Sequence, residues 1–335
     1  MNKLNLGTIG TSWITDSFIE AALATDSYEL KSIYSRSAEK GKEFAKKYGD
    51  IDVETDLEKF MTAGDLDVIY IASPNSLHYQ QALRALQAKK HVMVEKPASL
   101  NVEEWDEMVE TAATNGVFIL EAARHMHAPN LEKIATETQK LGNIYGATFP
   151  YMKYSSRYDN VLAGEEPNIF SLDFAGGALM DLGIYPVYTA VALFGEPEDV
   201  LYIPHKIQTG VDGMGTAILR YENFDVTILV GKIASSLYEA EIYGENQTLI
   251  IDHVAEFNQA RLLDVRDFTE EELKLEKQHK NQMFYEAETL AQMIANKDTE
   301  ETQNRYKELT NQARIVTKTL YHLRKQAGII FTSEK

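Results

Sequence analysis

Short apolar runs alternate with segments of helical periodicity through the first third of the chain, and this alternation predicts a parallel, doubly wound α/β sheet. The runs at 4–9, 30–34, 66–72, 92–94 and 117–120 read as strands, while 79–89 and 102–115 carry helical spacing. Beyond about residue 122 the pattern changes. After a helix over 130–141, residues alternate apolar and polar over 147–152, 215–220, 226–233 and 238–243. Alternation of that kind marks a largely antiparallel sheet with one face covered and one left open. The closing segment, 305–326, sets Leu309, Ala313, Val316, Leu320 and Leu323 at helical spacing and reads as a packing helix. Two domains are therefore expected: an α/β domain over 1–122 and an α+β domain with an open-faced sheet over 123–335.

Composition narrows the function classes. A chain of 335 residues is longer than one core usually supports, and 44% hydrophobic with 25% charged residues is ordinary for a globular protein. With no cysteine, disulfides and thiolate metal sites are excluded, which is compatible with a reducing cytoplasm. Met1-Asn2-Lys3-Leu4 runs straight into a strand, and no apolar stretch approaches membrane-spanning length, so a soluble, unexported, cytoplasmic protein is expected. A formal net charge of -18 repels nucleic acid and anionic membranes, leaving a small molecule as the expected partner. The same charge repels a dinucleotide phosphate, so any cationic contact to one must act within a Debye length of about 8 Å.

The most informative segment is Val92-Met93-Val94-Glu95-Lys96-Pro97, an apolar run that stops in a carboxylate, an ammonium and a ring-locked residue. In an open parallel sheet, ligands lie in the crevice beyond the carboxyl ends of the strands, so Lys96 is placed for chemistry. The alternative is a solvated lysine with Glu95 as its surface partner. At the amino end a strand leads into Gly10-Thr11-Ser12-Trp13-Ile14-Thr15, a glycine turn opening a helix. That order suits a Rossmann dinucleotide site, in which turn amides and a helix N-terminus meet a pyrophosphate. Aligned as G-x-G-x-x-G, Gly10 fills the first place, and Ser12 and Thr15 take the second and third. The 30–34 strand ends in Ser35-Arg36-Ser37, with Lys40 one turn on. An acidic residue there would hold a ribose 2′-hydroxyl, whereas arginine accommodates a 2′-phosphate, so NADP is expected ahead of NAD. Stacking on adenine is the other use for Arg36. The 66–72 strand leads to Ser73-Pro74-Asn75 and His78, expected over the nicotinamide half. His78 is either turned toward the site or satisfied by a loop carbonyl.

Together with Gly176-Gly177-Ala178-Leu179-Met180-Asp181-Leu182-Gly183-Ile184-Tyr185, these segments resemble the glucose-fructose oxidoreductase, inositol dehydrogenase and rhizopine catabolism (Gfo/Idh/MocA) family over nearly the whole chain. The Asp181 to Tyr185 segment and Gln208-Thr209-Gly210-Val211-Asp212 look closest to its dimeric dihydrodiol dehydrogenase and NADP-xylose dehydrogenase branch. Departures from the family pattern are Ser12 and Thr15, and Tyr185 where many members place a histidine. The resemblance implies that Lys96 binds and polarises the reacting oxygen. Asp181 and Tyr185 lie four apart in an expected helix, so they share a face. A phenol titrates near ~10, and a nearby ammonium lowers that value, so Lys96 would tune Tyr185 as general acid/base. Asp181 is then an acceptor for a substrate hydroxyl. The plainer roles are a helix-start carboxylate for Asp181 and a core tyrosine for Tyr185.

Arg124 and His127, within Arg124-His125-Met126-His127, and Tyr154, Arg157 and Tyr158 in the loop after 147–152 are further candidates for substrate contact. No third ligand accompanies His125 and His127, so no metal site is expected. The whole pattern reads as an NADP-preferring oxidoreductase that moves a hydride between nicotinamide and a secondary alcohol or carbonyl carbon of a sugar, polyol or cyclic diol. A homodimer or homotetramer through the open sheet is expected, since a large apolar sheet face is seldom left bare. Two rivals remain: a cofactor-binding regulator, which has no need of a Lys-Tyr pair, and a nicotinamide-dependent glycosidase, which returns its cofactor unchanged.

Overall fold

The computed structural model describes residues 3–335; Met1 and Asn2, with which the expected first domain begins, lie outside the described residues. The chain divides into two units, Met1–Arg124 with His279–Arg314, and His125–Gln278 with Ile315–Lys335.

In the first unit β1 (Leu4–Ile9), α1 (Trp13–Ala24), β2 (Tyr28–Tyr34), α2 (Ala38–Ala45), β3 (Asp52–Glu54), α3 (Leu57–Thr62), β4 (Val68–Ile71), α4 (His78–Gln87), β5 (His91–Glu95), α5 (Val102–Asn115) and β6 (Ile119–Ala122) follow one another. The strands pair in parallel in the order β3-β2-β1-β4-β5-β6. Strand order reverses between β1 and β4, and such a switch point opens a crevice at the strands' carboxyl ends. All four residues of β4 are buried, as a strand covered on both faces requires. The last strand lies two residues later than the expected 117–120. Helix α5 keeps its expected bounds because both ends are written into the sequence. Asn101 Oδ1 accepts from the Glu104 amide at 2.9 Å, and Gly116 closes the helix at φ +68°.

The second unit holds α6 (Pro129–Lys140), β7 (Gly146–Met152), α7 (Arg157–Leu162), α8 (Ile184–Phe194), β8 (Asp199–Lys206), β9 (Asp212–Arg220), β10 (Asp225–Gly231), β11 (Ala240–Tyr243), β12 (Gln247–Ile251), β13 (Ala260–Asp264) and β14 (Glu270–Glu272). Its strands form one sheet in the order β14-β13-β12-β11-β7-β10-β9-β8, antiparallel except between β7 and β10. Val226, Ile228 and Val230 of β10 are buried, and the alternate residues face outward. That open face carries Leu201 and Ile203, both exposed, beside half-buried Ile218 and Leu229.

After Gln278 the chain returns to the first unit through α9 (Met283–Ala295) and the start of α10 (Glu300–Gln326). The expected two consecutive stretches, 1–122 and 123–335, thus meet a chain that crosses back. Met283, Ala287, Leu290 and Leu309 join the core that holds Phe18, Ile19 and Tyr28. The Tyr28 hydroxyl donates to the Ala287 carbonyl at 2.7 Å, and Trp105 Nε1 to the Thr310 carbonyl at 3.0 Å. A helix's own periodicity shows which face is buried but not which domain receives it. Among the described residues no helix is long and apolar enough to cross a membrane.

Candidate active site

The first unit builds a glycine turn after β1. Gly10 has φ +117°, and a Cβ there would stand 2.8 Å from the Ala72 carbonyl oxygen and 3.0 Å from Thr15 Oγ1, so only glycine fits. Thr15 is fully buried, its hydroxyl 3.4 Å from that of Ser12. Ser12 is the N-cap of α1, yet its side chain caps no helix amide. Those amides therefore remain suited to an anion. Thr11 and Ile14 are half-buried at the turn, and Trp13 is exposed beside it. The turn fits a dinucleotide: its backbone has no room for a side chain and its helix end has no side-chain cap. At the end of β2, Ser35 is buried and donates to the Ser37 carbonyl at 2.9 Å, while Ser37 Oγ accepts from the Lys40 amide at 3.3 Å. Arg36 and Lys40 are both exposed on this framework.

Lys96 sits at the end of β5 on a segment held by three buried polar contacts. The Tyr70 hydroxyl donates to Glu95 Oε1 at 2.5 Å, and the Ala98 amide donates to Glu121 Oε1 at 2.5 Å. His78 spans the Pro97 carbonyl (Nδ1, 2.8 Å) and the Ser73 carbonyl (Nε2, 2.7 Å). Burial lowers the His78 pKa, so the neutral ring is the favoured form. His78 thus ties the loop after β4 to the loop after β5, and Ser73 Oγ donates in turn to Gln81 at 2.7 Å. Pro74 and Asn75 are half-buried in that loop. The alternative of Glu95 as a surface partner is corrected: its side chain turns inward, and burial raises its pKa. Behind it lies Glu286 of α9, wholly buried, with neither carboxylate oxygen hydrogen-bonded. Burial first, and the Glu95 charge second, push the Glu286 pKa well up, while the Arg124 charge pulls it down.

The second unit carries Asp181 and Tyr185, though not on a plain α-helix. Leu179–Gly183 forms a π turn that passes directly into α8. Asp212, buried at the start of β9, holds this turn by accepting from the Leu179 amide at 2.7 Å and the Tyr202 hydroxyl at 2.6 Å. Gly177 makes room for it, since a Cβ there would meet Asp212 Oδ1 at 2.2 Å. Asp181 therefore lies on the π turn and Tyr185 on the first turn of α8, rather than both on one regular helix as the spacing predicts. Tyr185 is half-buried, its ring 5.0 Å from His125 and 5.5 Å from Tyr151. His125 is buried with Nε2 3.2 Å from the Tyr185 carbonyl, and His253 packs edge-on to Tyr151 at 4.6 Å.

The remaining expected contacts lie on α7, just before it, and on the short turn after β6. Arg157 and Tyr158 belong to α7 rather than to a loop, and Arg157 is exposed. The Tyr154 hydroxyl donates to Asp159 at 2.7 Å. Arg124 opens a single-turn 3-10 helix that ends at half-buried His127. One residue escaped the sequence reading. Lys232, immediately after β10, places Nζ 2.5 Å from Asp181 Oδ2. The signal was present, since an apolar strand that stops in a lysine is the pattern that singled out Lys96.

Residues 4–122 match the oxidoreductase family with an NAD-binding Rossmann fold described as GFO_IDH_MocA, and residues 133–250 match the GFO/IDH/MocA C-terminal domain. The chain is 36% identical over 332 residues to scyllo-inositol 2-dehydrogenase (NADP(+)) of Bacillus subtilis (strain 168), across 99% of each chain. It is 28% identical over 222 residues to trans-1,2-dihydrobenzene-1,2-diol dehydrogenase of Mus musculus, across 65% of each. The crystal structure of a 3-ketoreductase from Actinomadura kijaniata with NADP and TDP-benzene shares the fold at a TM-score of 0.84 and 21% identity, over 97% of this chain and 98% of that one. By both of its domains, the chain belongs to the Gfo/Idh/MocA family of NAD(P)-binding oxidoreductases.

Proposed function

We propose that this enzyme is an NADP-preferring dehydrogenase or reductase of a secondary alcohol in a cyclic polyol or sugar. The observation that supports the substrate class is the succession of Asp181, on the π turn, and Tyr185, on the first turn of the helix after it, four residues apart in one unit. A carboxylate is an acceptor-only group suited to a hydroxyl beside the reacting carbon, and a phenol moves the alcohol's proton. A 36% identical relative named for scyllo-inositol and NADP supports both choices.

Lys96, on its braced strand end, serves as oxyanion stabiliser and as tuning partner for Tyr185. Gly10 to Ile14, Ser73 to Asn75, His78 and Glu95 hold or frame the cofactor, and Arg36 with Lys40 receives a 2′-phosphate. When bound, NADP supplies the hydride acceptor. Arg124, His127, Tyr154 and Arg157 complete the proposed substrate contacts. We place the enzyme in the cytoplasm, as a homodimer or homotetramer joined through the open sheet face.

Inositols, aldoses and diols screened with both cofactors test this proposal. Turnover of a cyclic polyol or sugar, with kcat/KM higher for NADP than for NAD, is the expected result. Turnover confined to compounds without a hydroxyl beside the reacting carbon would overturn it.

A further inference from the structure

Lys232 is charged, almost wholly enclosed and outside the roles assigned above. Its side chain is 2% exposed, whereas that of its partner Asp181 is 32% exposed. A ligand can therefore reach the carboxylate but not the ammonium. The lysine's backbone is fixed on both sides: its amide donates to the Gly213 carbonyl at 2.8 Å, and its carbonyl accepts from the Ser155 amide at 2.9 Å. Its Nζ lies 4.8 Å from the centre of the Phe170 ring, and its charge also acts on buried Asp212. The ammonium thus stands on a rigid strand end among an aromatic face and two carboxylates, both of which belong to the π turn or its support.

A buried ion pair is a poor device for stability, because desolvation offsets most of the attraction. It is a good device for holding one side chain in one place. We propose that Lys232 is a positioning residue that fixes the Asp181 carboxylate for a substrate hydroxyl, so that it governs polyol binding without touching the polyol. This inference rests on Asp181 being the hydroxyl acceptor.

The test is a double-mutant cycle on the full-length enzyme with NADP and scyllo-inositol, or the screened polyol or sugar of highest kcat/KM should that compound not turn over. Lys232→Met should raise KM for the polyol about 10-fold, with kcat and KM for NADP near wild type, as loss of uniform binding requires. Lys232→Arg should restore most of the loss. In an Asp181→Asn background, Lys232→Met should add little, since the lysine acts through the carboxylate. Lys232→Gln, which keeps a donor without the charge, replaces the Met variant if that protein fails to fold. A wild-type KM in Lys232→Met, or full additivity with Asp181→Asn, would overturn the inference while leaving the proposed function standing. An unchanged KM in Asp181→Asn, or no turnover of any screened polyol or sugar, would instead remove the functional reading and this inference with it.

Discussion

Arg36, exposed after β2, is the residue proposed to set the cofactor preference. A charge-assisted hydrogen bond contributes about 1.5 to 3 kcal/mol, so Arg36→Ala should weaken NADP binding by roughly 10- to 150-fold. NAD presents no phosphate there and should lose much less. Quenching of Trp13, which the fold places beside the glycine turn, reports both titrations; equal losses would assign Arg36 to adenine stacking. The proposed proton relay belongs to the same scale. Lys96→Met and Tyr185→Phe should each lower kcat by about 10²- to 10⁴-fold. Combined, they should fall little further, because parts of one device are not additive. A fully active Tyr185→Phe enzyme would remove Tyr185 from the chemistry.

Among the elements, α9 carries the buried acid Glu286, whose pKa burial raises well above the ordinary glutamate value. A folded-state pKa above the unfolded one gives stability that is complete below the unfolded value and is lost as pH rises toward the folded one. Glu286→Gln removes that dependence. Its melting temperature should exceed wild type near pH ~8 and converge on it as pH falls toward ~4.5, with a slope of up to ~1.4 kcal/mol per pH unit between the two pKa values. A constant offset at every pH would show that Glu286 does not titrate in this way. How far such elements can be read from sequence varies with where their information lies. The span of α5 is legible because Asn101 and Gly116 mark its ends locally. The position of Lys96 is legible because the apolar run before it marks where β5 ends. The π turn is not, since Asp212, 33 positions from Leu179, holds it in place. The return of α9 to the first unit is equally hidden, being decided by Phe18 and Tyr28 far away in sequence. Tyr238 and Glu239 extend the apolar-polar alternation ahead of β11, yet the strand begins only at Ala240, where pairing with Ile251 starts.

For the molecule as a whole, the open face of the second sheet sets the expected assembly. Exposed Leu201 and Ile203, with Ile218 and Leu229 beside them, form an apolar surface that a two-fold partner would cover. Light scattering at micromolar concentration should give a dimer or tetramer of the 37.8 kDa chain, and Leu229→Lys should shift it toward monomer. A wild-type monomer would contradict this assembly. Net hydride transfer is the reaction proposed for this enzyme, and the stoichiometry of turnover reads it out. With NADP and the best polyol or sugar of the screen, the reduced-nicotinamide absorbance should rise by one equivalent for each equivalent of ketone or lactone formed. Product formed without net cofactor reduction, or cofactor bound tightly with no turnover on any compound screened, would rule out net hydride transfer as the reaction of this enzyme.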